Sequence, residues 1–99
     1  MNPLPGLGVT VATERIIASI NSSGCFAADL AIAMERYLNQ DWGDIDEDDA
    51  RMNDESVESC GRGSKATDIL ASYEVDGQEV WIHTAWDRSV TTILFPDEY

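Results

Sequence analysis

Ile69-Leu70-Ala71-Ser72-Tyr73-Glu74-Val75-Asp76-Gly77-Gln78-Glu79-Val80-Trp81-Ile82-His83-Thr84 decides the fold of this chain. Apolar residues recur here with a period of two, the period of a strand with one buried face. Asp76-Gly77 interrupts the pattern. A two-residue type I′ turn needs positive φ at both central positions, which Asp tolerates and Gly prefers. The turn fixes the register: Val75 faces Gln78, Tyr73 faces Val80, Ala71 faces Ile82 and Ile69 faces Thr84. Glu74 then stands opposite Glu79, an unfavourable pairing that extends an acidic surface.

Downstream, Asp87-Arg88-Ser89 reads as a three-residue connection, and Val90 to Phe95 as a third strand stopped by Pro96. The expectation for 68–95 is an antiparallel three-stranded meander. A three-residue loop sets Ile82 opposite Leu94 and Trp86 opposite Val90. One face, with Ile69, Tyr73, Val80, Ile82, Leu94 and Trp86, is assigned to a helix-covered core. The other carries Leu70, Trp81, His83, Ile93 and Phe95, which is very apolar for a solvated surface. Trp81, Ile93 and Phe95 are therefore a candidate dimer face, unless a partner or the N-terminal arm covers them.

Upstream the period lengthens. Phe26, Leu30, Ala33, Met34, Tyr37 and Leu38 recur at steps of three and four, predicting a helix capped by Ser22 or Ser23 and ending near Gln40. Before it, Thr13 caps a shorter helix with Glu14 in its first turn and Ile16, Ile17 and Ile20 as its stripe. Val9-Thr10-Val11-Ala12 reads as a short strand or the approach to that helix. Residues 1–8, rich in Pro and Gly, read as an irregular arm, and 61–67 as a linker. One α+β domain over 1–99 follows: a helical half, 9–60, and two to three helices packed on the meander.

Within the helical half lies Asp41 to Glu58, with nine carboxylates against the single base Arg51, in a chain of formal charge -13. From Asp46 or Asp44 as cap it reads as a surface helix, with Ile45, Ala50, Met52 and Val57 as a thin contact stripe. Asp44, Asp46, Asp48 and Glu55 match EF-hand positions 1, 3, 5 and 12, but Asp49 replaces the turn glycine and Arg51 the apolar residue. No metal or other cofactor is therefore assigned. A helix with every second residue acidic approaches the charge density of duplex DNA, which shows about one charge per 1.7 Å of axis. Trp42, Asp44, Asp46, Glu47, Asp48, Asp49, Asp54, Glu55 and Glu58 are the candidate partner-binding residues. The alternative is a solvated acidic helix that serves solubility.

No catalytic residue is assigned. His83 lies in mid-strand without a nucleophile motif, Ser72 or Ser89 could pair with it only by accident, and Gly61-Arg62-Gly63-Ser64-Lys65 lacks the order of a phosphate loop. Cys25 and Cys60 form no CxxC pair and read as reduced, partly buried thiols. The acidity argues against direct contact with nucleic acid or an anionic membrane. Met1 to Gly6 lacks a basic region followed by an apolar block, so cytoplasmic residence is expected.

Asp41-Trp42-Gly43-Asp44 with its acidic helix, Ile69 to Tyr73, Val80 to Thr84, and Asp87 through Phe95-Pro96-Asp97-Glu98-Tyr99 together resemble a family of small, mostly uncharacterised acidic proteins of bacterial plasmids and prophages. The resemblance spans the last two thirds of the chain. It implies the company of anti-CRISPR and antirestriction proteins, several of which mimic nucleic acid. It supplies no catalytic motif. The expectation is a non-enzymatic inhibitor that blocks a basic nucleic-acid-binding surface of a host CRISPR effector or restriction enzyme. The runner-up is a structural or regulatory module that dimerises through the second sheet face.

Overall fold

A computed structural model describes residues 8–58 and 67–99. The elements run β1 (Val9–Ala12), α1 (Glu14–Ser22), α2 (Gly24–Leu38), α3 (Glu47–Glu58), β2 (Ile69–Val75), β3 (Gln78–Thr84) and β4 (Val90–Leu94), followed by one 3-10 turn, Pro96–Glu98. The α+β class is as expected, but the sheet is four-stranded and mixed. Its order is β1-β4-β3-β2, with β1 parallel to β4.

Local chemistry sets most boundaries. Thr13 and Ser23 cap α1 and α2 through their hydroxyls, which accept from the amides of Ile16 and Phe26. The Asp76-Gly77 turn has φ of 49° and 78°, as a type I′ turn requires. All the β2–β3 pairings follow from it, Glu74 opposite Glu79 included. Asp46 caps α3, its carboxylate accepting from Asp49 N–H at 2.8 Å.

The third strand corrects the expected register. Ile82 pairs with Ile93, not Leu94, and Thr84 with Thr91. The loop holds five residues, 85–89, closed by Ala85 N–H to the Val90 carbonyl and Arg88 N–H to the Ala85 carbonyl. Arg88 takes φ of 61°. A one-residue slip turns a strand over. Ile93 and Phe95 therefore point into the helix-covered core, and Leu94 joins Trp81 on the other face. Trp86, expected inside, is 59% exposed in the loop.

The core lies between the sheet and α1–α2, built from Ile16, Phe26, Leu30, Ala33 and Tyr37 against Ile69, Ala71, Tyr73, Val80, Ile82 and Ile93. Fully burying a side chain of Phe26's size stabilises by roughly 1.5–3 kcal/mol. Ile17 turns outward, so the stripe of α1 is narrower than expected. Inside this core runs a chain of hydroxyls. The Tyr37 phenol lies 2.6 Å from Thr84 Oγ1, which lies 2.8 Å from Thr91 Oγ1. Burial pushes the Tyr37 phenol up to about 12, against the opposing pull of the Thr84 hydrogen bond.

On the opposite face, Tyr99 folds back edge-on over Trp81 and His83, with ring centroids 5.4 and 5.7 Å away. Glu98 secures this fold-back by accepting from the Phe95 amide and the Thr13 hydroxyl. The second face is thus partly covered from residues after β4.

Candidate functional site

The acidic segment is fastened to the edge of the sheet. β2 is an outer strand, and its free backbone groups would otherwise invite pairing by another chain. Trp42-Gly43-Asp44 meets part of that edge. Ser72 N–H donates to the Trp42 carbonyl, and Asp44 N–H donates to the Ser72 carbonyl at 2.7 Å. Gly43 has φ of 74°, and a Cβ there would collide with the Ser72 carbonyl. Only glycine lets the segment approach so closely.

Two polar side chains of α3 hold the rest. The Asn53 amide donates to the Leu70 carbonyl at 2.9 Å and accepts from Leu70 N–H. The Ser56 hydroxyl does the same to Thr67, at 2.6 and 2.9 Å. Both residues are buried. Ala50 and Val57 pack beside them, whereas Met52, expected in the contact stripe, is exposed. Arg88 completes the attachment. Its guanidinium donates to the carbonyls of Ser56, Thr67, Ala85 and Trp86 and to Ser56 Oγ. Hydropathy could not reveal this arrangement, because its members are polar.

Trp42 is not an exposed anchor. It is 4% exposed, edge-on to Tyr37 at 5.4 Å, and its Nε1–H donates to Asp54 Oδ1 at 2.9 Å. Its large apolar ring belongs to the core, so it drops out of the partner-binding set. Asp44, Asp46, Glu47, Asp48, Asp49, Asp54 and Glu55 all lie exposed. A helix advances about 100° per residue, so Glu47, Asp48 and Glu55 share the side of α3 turned away from Asn53 and Ser56. The Glu58 side chain, like Cys60, most of the expected linker and residues 1–7, lies outside the described residues.

The EF-hand spacing does not form a loop, since Asp48 and Glu55 are already within α3. Among the described residues no group of three His, Cys, Asp or Glu side chains converges as a metal site needs. His83 Nε2 lies 2.9 Å from Asp68 Oδ2, and Ser72 Oγ donates to Glu79. Cys25 is a free, exposed thiol, not a partly buried one.

The acidic surface reaches beyond α3. A shallow hollow of about 350 Å³ is lined by Asp44, Ser72, Tyr73, Glu74, Gly77 and Glu79. It joins the acidic segment to the hairpin carboxylates. Hydrogen bonds from Trp81 Nε1–H and the Ser72 hydroxyl hold Glu79 below the usual carboxylate range. Glu79 thus stays charged beside Glu74. The pairing of these two was legible from the hairpin register, but their meeting with Asp44 was not.

The described arginines are engaged elsewhere. Arg15 pairs with Asp97, Arg36 with Asp41 and Arg51 with Asp48, while Arg88 serves backbone acceptors and Ser56 Oγ. Asp44, Glu47, Asp49 and Glu55 have no ion-pair partner among the described residues. No helix of the described residues is long and apolar enough to cross a membrane. Comparisons with protein-family models, curated proteins and solved structures find no match.

Proposed function

We propose that this chain is a mobile-element-encoded binding protein that uses its acidic surface to occupy a basic, nucleic-acid-binding groove of a host defence complex, such as a CRISPR effector or a restriction enzyme. One observation carries the reading. The carboxylates of Asp44, Glu47, Asp49 and Glu55 are exposed and make no ion pair among the described residues, while the helix bearing three of them is held through Asn53, Ser56 and Arg88. Like charges left side by side destabilise a fold. Their energetic return comes from a partner that supplies the missing cations.

Occupation of a basic groove in place of nucleic acid needs no catalytic step by this chain. Complementary charge accelerates encounter and makes affinity fall with salt. The resemblance to small acidic proteins of plasmids and prophages points the same way. The hairpin carboxylates Glu74 and Glu79 extend the footprint beyond α3.

The test is a triple variant, Glu47→Gln, Asp49→Asn and Glu55→Gln, which removes charge with little change of shape. Wild type should block target-nucleic-acid binding in a panel of purified CRISPR effectors and restriction enzymes. The block should weaken between 50 and 500 mM salt. The variant should associate at least about tenfold more slowly. Equal inhibition by the variant, or no inhibition by wild type across the panel, overturns the proposal.

A further inference from the structure

The two outer strands of the sheet are treated differently. The outward edge of β2 is met at Leu70 by Asn53 and at Ser72 by Trp42-Gly43-Asp44, but that of β1 carries no such cover among the described residues. The backbone pattern shows which groups are open. Val9 N–H donates to the Ser89 carbonyl and Thr13 N–H to the Ile93 carbonyl, both at 3.1 Å. In a parallel pair alternate residues bond to the same neighbour, so Val9, Val11 and Thr13 face β4. Thr10 and Ala12 then aim their N–H and C=O groups outward.

From this we infer that β1 pairs with β1 of a second copy, antiparallel and two-fold about Val11, making one sheet continuous across a homodimer. The register is self-complementary. An axis at Val11 sets Thr10 opposite the partner's Ala12, and both residues present outward groups. Each such pair exchanges two hydrogen bonds in an antiparallel ladder, and symmetry supplies a second pair. Val11 then meets its own copy at a non-hydrogen-bonded position, where Cα atoms approach to about 4.5 Å. Val9 and Val11 are 66% and 41% exposed, and the pairing covers them.

Charge on the strand itself does not bar a second copy at this edge. β1 itself carries no charge. The acidic helix lies against β2, at the far end of the strand order. Three strand spacings of about 4.8 Å place it roughly 14 Å from the joint. In the dimer the two acidic helices are thus about 28 Å apart or more. That is several screening lengths at physiological salt, about 8 Å each, so their repulsion barely opposes assembly. A four-residue strand makes few ladder bonds, so the dimer is weak. The acidic surfaces remain free at its two ends.

The experiment is sedimentation equilibrium of the full chain from 10 µM to 1 mM, beside the variants Thr10→Pro and Val11→Lys. Proline removes an outward N–H that β4 does not use, and Val11→Lys sets like charges face to face. Wild type should move from monomer to dimer mass across the range. Both variants should stay monomeric with unchanged far-ultraviolet dichroism. Amide exchange at Thr10 and Ala12 should slow with concentration in wild type alone. A wild-type monomer throughout overturns the inference, as does a dimer that persists in both folded variants. Should a variant fail to fold, the concentration dependence of the Thr10 and Ala12 amides decides.

Discussion

α2 and α3 are attached to the same sheet by opposite means. α2 lays Phe26, Leu30, Ala33 and Tyr37 into the core. α3 has almost no apolar stripe and is held by side chains that bond to the backbone of β2 and its approach. The first attachment is broad and undirected, because dispersion and water exclusion add over area. The second is narrow and directional. It lets a helix crowded with carboxylates sit on a small protein without placing any of them inside.

If that contrast is right, the two helices should fail differently. Phe26→Ala should cost the most, about 3–5 kcal/mol, by opening a cavity beside Phe95 and removing a ring fully enclosed. Loss should be global, with chemical denaturation reporting one cooperative shift. A drop below 1 kcal/mol would show that α2 is less deeply anchored than its burial states.

Asn53→Leu tests the polar attachment. Were α3 held by apolar contact, leucine would be neutral or better. Here it should cost about 1–3 kcal/mol, since it orphans the Leu70 N–H and C=O. Hydrogen exchange should quicken at Leu70 and in α3 while α2 stays protected. Uniform loss of protection across both helices would erase the distinction.

The smallest effect is one of pH. Arg36, through its hydrogen bonds to Asp41, holds that carboxyl below its ordinary range, helped by the Gly43 amide. This pair ties the end of α2 to the start of the acidic segment. A carboxyl with a lowered folded pKa adds stability above its unfolded pKa and loses it as pH falls through the folded one. That contribution should therefore be intact above about pH 4, the ordinary range of an Asp, and be lost as pH falls below it. The exposed pair contributes only a fraction of a kcal/mol. In Asp41→Asn, thermal melts should show a weaker acid limb; an unchanged limb would place the acid sensitivity elsewhere.

The sequence disclosed what short-range rules govern. The α2 stripe, the caps Thr13, Ser23 and Asp46, and the Asp76-Gly77 register all follow from residues within a few positions of one another. It did not disclose the β3–β4 loop. There Arg88 is drawn to carbonyls of α3 and the approach to β2, and the left-handed residue lengthens the turn. That one misplaced residue put Ile93 and Phe95 on the wrong face and Trp86 inside. The parallel β1–β4 pairing joins opposite ends of the described chain and has no local signature. At the site the charge was plain, but the means of attachment was hidden in Asn53 and Ser56, whose polarity disguised them as surface.

The polar clasp also separates two kinds of inheritance. Replacing Asn53, Ser56 or Gly43 disturbs the fold, so those positions are bound to the scaffold. Glu47 and Glu55 are exposed and make no ion pair among the described residues. Mutations can reshuffle their charge pattern generation by generation while the same framework persists. A lineage pursuing a target whose basic groove keeps changing would then drift fastest on the outer side of α3 and slowest half a turn round the helix, along the line that grips Leu70 and Thr67.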